Sequence, residues 1–149
     1  MDQLQAAGAQ HIIVWNTPNL GITPAVTAAG ASGFGSFLAG VMNGALTARL
    51  TGEAGVSIFD VFGIGTAIAT NPAAFGFTNV TDACGAMAGA DCSKYAYWDG
   101  IHPTTAIHAA VANAMLVTAI PEPETYALFA AGLAFVAWRS KARARTARA

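Results

Sequence analysis

Two short stretches of this chain are unbroken apolar runs of strand length. HIIVWN (His11 to Asn16) and VSIFDVFG (from Val56, ending in glycine) are rich in β-branched and aromatic residues. Neither alternates apolar with polar, the pattern of strands that helices cover on both faces. Between them Phe34, Leu38, Val41, Met42, Ala45 and Leu46 recur at helical spacing, the apolar stripe of an amphipathic helix. Strand, helix, strand in that order predicts a right-handed parallel crossover. Ahead of the first strand, LQAAG reads as a helix end stopped at Gly8. After Gly63 come a short helical stretch and a loop holding both cysteines. A helix then runs from Pro103 to about Ala119, with Ile107, Val111 and Met115 inward. The class is α/β, and functional loops are expected at the C-terminal ends of the strands.

The pattern changes near the C-terminus. YALFAAGLAFVAW, Tyr126 to Trp138, is a run of thirteen residues with no charge. As a helix it reaches roughly 20 Å at about 1.5 Å per residue. The hydrocarbon core of a bilayer is roughly 30 Å thick, and snorkelling arginines can make up part of the difference. A buried core helix is the alternative, but Arg139, Lys141, Arg143, Arg145 and Arg148 follow at once, which favours a single transmembrane helix with its cations held inside. In front stands PEPET, Pro121 to Thr125, which predicts an extended linker. Pro-Glu-Pro, short apolar helix and arginine cluster, in that order, resemble the PEP-CTERM sorting signal of Gram-negative bacteria. The resemblance implies export, transient retention at the inner membrane, processing by an exosortase-type enzyme, and release to the surface or medium. The chain thus divides into a domain over residues 1–119 and a sorting segment over 120–149.

Charge supports that division. Residues 1–138 hold two cations (Arg49, Lys94) against eight acids (Asp2, Glu53, Asp60, Asp82, Asp91, Asp99, Glu122, Glu124), a net −6, while the last eleven hold five cations and no acid. A body of that sign repels nucleic-acid phosphates and excludes such a partner there. With 54% hydrophobic and 10% charged residues, the chain is too apolar for disorder. Cys84 and Cys92 flank GAMAGAD, a glycine- and alanine-rich loop with little to hold it. A disulfide would restrain it by roughly 2–3 kcal/mol. Free thiols in a cytosolic protein are the alternative; a zinc site lacks ligands, since no histidine pair accompanies the cysteines.

The chemistry concentrates in YWDGIHPTTAIH, where Asp99 and His102 stand three positions apart. A histidine base needs a carboxylate on one ring nitrogen to hold its tautomer and stabilise the imidazolium. Gly100 allows the bend, and Pro103 fits the first helical position, leaving His102 at the helix entrance. The other reading is a helix-start loop in which Asp99 only accepts backbone hydrogen bonds. YWDGIHPT closely resembles the last block of SGNH (GDSL-type) hydrolases, aromatic-Asp-x-x-His-Pro-Thr. HIIVWNTPNLGITPA and NPAAFGFTNVTDAC resemble the corresponding stretches of secreted bacterial GDSL-type esterases and lipases, so the likeness runs from about residue 8 to 118. It implies a three-layer α/β/α, flavodoxin-like fold, a serine nucleophile, and hydrolysis of carboxylic or lipid esters. By this resemblance His102 is the general base and Asp99 its orienting acid.

The departures are as informative. No Gly-Asp-Ser block is present, nor the glycine and asparagine blocks of an oxyanion hole. Ser32, Ser36, Ser57, Ser93 and Ser140 fit none of these settings, and GASGFGS lacks the spacing of a nucleophile elbow. Asn16 and Asn19 lack a Gly-x-Asn-Asp context; His11 and His108 read as structural. Only two strands stand out, the chain opens within an apparent helix, and no signal peptide precedes an export-type C-terminus. Together these predict the C-terminal part of a longer esterase, holding two-thirds of its triad and inactive alone. An inactive surface-sorted remnant and a membrane-anchored binding module are the alternatives. No phosphate loop or metal constellation is visible, so no cofactor is implied.

Overall fold

The computed structural model describes residues 1–119 and 123–146. It divides into two compact units, Met1–Thr118 and Ala119–Ala149. The first is mixed α/β with parallel strands. Helix α1 (Asp2–Ala6) ends at Gly8, whose φ of +96° is the left-handed turn that stops it. Strand β1 (Ile12–Trp15) pairs in parallel with β2 (Val56–Phe59), Ile12 opposite Val56 and Trp15 opposite Phe59. Between them lie a 3-10 turn (Leu20–Ile22), α2 (Pro24–Ala28) and α3 (Ser32–Leu50). This is the predicted strand–helix–strand unit, and Phe59 is one of its most buried side chains.

Helix α3 turns the opposite face inward from the one its apolar stripe suggests. Phe34, Leu38, Val41 and Met42 are exposed, while Gly35 and Ala39 are buried. The cause is close approach. A Cβ on Gly35 would lie 3.0 Å from the backbone of Gly21 in the 3-10 turn. Polar bonds hold the same face: Ser36 Oγ donates to Asn19 Oδ1 at 2.7 Å, and Asn43 both receives the Thr17 amide (2.7 Å) and donates to the Thr17 carbonyl (2.8 Å). Glycine and short polar groups let two backbones meet where large side chains could not.

Helix α4 (Val61–Thr70) follows β2 directly, capped by Asp60, whose carboxylate accepts the Gly63 amide at 2.9 Å. Ile68 on α4 is fully buried. Two strands escape the sequence reading: β3 (Asn79–Ala83) and β4 (Tyr95–Tyr97), a second parallel pair with an irregular register between Asn79 and Ala83. The strands therefore form two separate two-stranded sheets. Residues 84–94 connect β3 to β4 through 3-10 turns, shorter than an ordinary helical crossover, and the Cys84–Cys92 disulfide closes this connection. Helix α5 (Thr105–Ala119) presents Val111 to the interior, with Ile107 and Met115 half-buried, as its spacing predicts.

The second unit contains α6 (Pro123–Thr146). The expected extended linker gives way at Pro123, which opens the helix, since proline suits a first helical turn; Pro121 and Glu122 lie outside the described residues. The expected transmembrane helix is not supported either. Among the described residues no helix is long and apolar enough to cross a membrane. The apolar positions stop at Trp138, and Arg139, Lys141, Arg143 and Arg145 continue the same helix.

Candidate active site

The loop from Trp98 to His102 is built by strand β4 and the segment that returns beside it. Tyr97 bridges Pro103 in antiparallel fashion, the Thr104 amide donates to the Ala96 carbonyl at 2.9 Å, and the Trp98 amide donates to the His102 carbonyl at 2.8 Å. Pro103 therefore belongs to this bridge and not to the first helical turn expected from the sequence. Thr104, almost fully buried, takes the capping position: its hydroxyl donates to the Tyr95 carbonyl at 2.6 Å and receives the Ile107 amide at 3.4 Å. Gly100 has a negative-φ backbone, so crowding and not the bend favours glycine there. Its carbonyl accepts the Ala25 amide at the start of α2 (2.9 Å), and a Cβ would lie 3.1 Å from that of Ala25.

Within this loop the Asp99 carboxylate bonds both the backbone and the His102 ring. Its Oδ1 accepts the amides of Ile101 (2.8 Å) and His102 (2.7 Å), while Oδ2 lies 2.7 Å from His102 Nδ1. The backbone bonds aim the carboxylate, and the second oxygen is left for the ring. With Nδ1–H donated to Asp99, Nε2 carries the lone pair and makes no hydrogen bond among the described residues. The His102 side chain is 75% exposed, so that lone pair is open to a reactant. The His102 amide, then the Ile101 amide, then the His102 ring hold the Asp99 carboxyl down at about 2, against 3.8 ordinarily.

A depressed carboxyl pKa contributes stability that is complete above pH 3.8 and is lost as pH falls through about 2. The Asp99 carboxyl carbon should accordingly titrate by NMR near pH 2. A midpoint near 3.8 would mean that the three bonds are absent in solution.

The other candidates are dispersed. Ser36 donates to Asn19, Ser32 donates to Thr27 Oγ1 at 3.2 Å, Ser93 donates to Asp91 at 2.7 Å, and Ser57 is exposed on β2. Ser140 lies on α6. No serine hydroxyl bonds His102 among the described residues. Asn19 is buried and spent on Gly21, Ser36 and Thr66; Asn16 joins the two strand ends, donating to Asp60 Oδ1 at 2.7 Å and accepting the Phe62 amide at 3.0 Å. His11 is exposed at the mouth of β1. No group of three or more His, Cys, Asp or Glu among the described residues could hold a metal ion.

The sequence reading missed a cavity of about 490 Å³ beside the loop. Trp15, Ile22, Ile68, Tyr97, Ile101 and Val111 line it, and so do Pro103 and His108. Ile101 and Pro103, the immediate neighbours of His102, are in this lining, whereas Asp99 and His102 are not. Burial pushes the Tyr97 phenol above its usual range. The signal was present in the inward stripe of α5, but the facing wall comes from β1, the Leu20–Ile22 turn, α4, β3 and β4.

The family model of GDSL-like lipases and acylhydrolases matches residues 1–115, over three-quarters of the chain. The chain belongs to that family. In this GDSL-like protein the matched region contains the Asp99–His102 loop, the disulfide and the cavity. The PEP-CTERM protein-sorting motif matches residues 119–143, so the acylhydrolase-like region is followed by a sorting segment. Among curated proteins none matches the chain.

Proposed function

We propose that this chain is the acid–base portion of an exported carboxylic-ester hydrolase, with His102 as general base and Asp99 as its orienting carboxylate. The observation that carries the reading is the 2.7 Å contact between Asp99 Oδ2 and His102 Nδ1, with Nε2 left open. By the family resemblance the nucleophile is the serine of a Gly-Asp-Ser block, which these 149 residues do not contain. Its proton passes to His102 Nε2 as its oxygen adds to the ester carbonyl, and the imidazolium then returns that proton to the leaving alcohol. Water repeats the sequence on the acyl-enzyme. Asp99 keeps its charge throughout and keeps the ring in place. The apolar cavity beside Ile101 and Pro103 receives the acyl chain, its size being within the range of small-molecule sites.

The pair can be tested on the chain itself. Long-range ¹H–¹⁵N NMR of the imidazoles should find neutral His102 protonated at Nδ1. Protonation at Nε2 would leave the base without a free lone pair and would contradict the assignment.

The sorting segment is read as a transient hold at the inner membrane, followed by exosortase-type processing near Pro121–Pro123. Thirteen apolar residues fall short of a full span, so the flanking cations would sit at the headgroups. Deleting residues 121–149 should move the protein from membrane to soluble fractions in an exporting host. Identical fractionation of the two forms would remove the membrane step from the account.

A further inference from the structure

The disulfide and the acid–base loop are joined by a short chain of bonds. Cys84, 1% exposed, anchors one end of the β3–β4 connection, and Cys92 ties the other end to it. The next amide, that of Gly85, donates to the Trp98 carbonyl at 2.7 Å, and the Trp98 amide donates to the His102 carbonyl at 2.8 Å. The contact is also steric. A Cβ on Gly85 would come within 2.8 Å of the Trp98 carbonyl oxygen and 3.0 Å of its indole Cε2. Trp98 itself is 53% exposed, so burial does not hold it. Residues 85–89 are exposed as well, Met87 included, so that stretch has no buried side chain to hold it.

We propose that the Cys84–Cys92 disulfide and Gly85 are positioning residues for the Asp99–His102 pair, acting through Trp98. The disulfide fixes where Gly85 stands, Gly85 fixes Trp98, and Trp98 sets the carbonyl and amide frame in which the Ile101 and His102 amides reach Asp99. A second tether, the Ala25 amide on the Gly100 carbonyl, holds the loop from the other side. Reduction therefore leaves the loop attached but loosely aimed. This inference rests on the reading of the pair as acid and base only for its catalytic consequence; the geometry stands apart from it.

The test uses the 149-residue chain in oxidised form, after reduction and alkylation, and as Gly85→Ala with both cysteines bonded. Reduction should raise the Asp99 titration midpoint from about 2 toward 3.8. It should also speed hydrogen exchange at Trp98, Ile101 and His102 by at least about tenfold, while the Ile12 and Asn16 amides of the β1–β2 pair keep their rates. Gly85→Ala should move the Asp99 midpoint in the same direction with the disulfide intact. An unchanged midpoint in either form overturns the proposal. Equal acceleration at Ile12 and Asn16 overturns it too, because the disulfide would then stabilise the whole unit and not the loop. In a serine-bearing longer enzyme, reduction should lower kcat about tenfold with KM little changed. If that enzyme has no activity, the catalytic reading fails while the titration result stands.

Discussion

The 149-residue chain should show no esterase activity above background on short p-nitrophenyl esters, and a form extended upstream to include a Gly-Asp-Ser segment should hydrolyse them. A serine hydroxyl is a poor nucleophile until a base takes its proton, and a base with no hydroxyl in reach has nothing to activate. Among the described residues no serine hydroxyl bonds His102, and Ser32, Ser36 and Ser93 are engaged elsewhere. Turnover by the chain alone, surviving a serine-directed inhibitor, would show that another group performs the attack. Restored turnover in the extended form would identify the missing part as the nucleophile.

The second large effect belongs to the pair itself. In the extended enzyme, removing the base should cost roughly five to six orders of magnitude in kcat, since nucleophile and base act as one unit. That is about 7–8 kcal/mol of transition-state stabilisation. KM should change little, because the base acts on the proton in flight and hardly at all on bound ester. Asp99→Asn should cost about four orders, for a different reason. An amide can still accept the Ile101 and His102 amides through its oxygen, so the loop keeps its shape. It then presents an NH₂ group to His102 Nδ1, which favours the wrong tautomer and gives no charge to the imidazolium.

Much of this arrangement could be read before any coordinates. β1 and β2 are visible because continuous β-branched runs between glycines have few other uses, and their parallel pairing followed from the helix between them. The cysteine pair was legible from the weak loop it spans. The Asp99–His102 contact was legible through the family resemblance, since the spacing alone left open whether the carboxylate bonds the ring or only backbone amides; with its two oxygens it bonds both. What stayed hidden has physical causes. β3 contains Asn79, whose side chain accepts the Thr81 and Asp82 amides, so its local pattern is that of a turn. The inward face of α3 was misjudged because periodicity reports where large apolar residues lie, whereas Gly35 and Ala39 pack by being small. Pro103 and Pro123 exchanged roles, since a proline can join a β-bridge or open a helix, and its neighbours' bonds decide which. The cavity showed in the sequence only as the inward stripe of α5, because the rest of its wall is assembled from β1, the Leu20–Ile22 turn, α4, β3 and β4.

The central claim is that His102, and not another histidine, is the base. Its most direct test is kcat of the extended enzyme carrying His102→Ala beside the same enzyme carrying His108→Ala. His108 lies one turn along α5 and lines the cavity without a carboxylate partner among the described residues, so its loss is expected in KM and it serves as the control for kcat. The account predicts a loss of roughly five to six orders of magnitude for His102→Ala, and a change of no more than a few-fold for His108→Ala. Turnover that survives in His102→Ala and disappears in His108→Ala would contradict it.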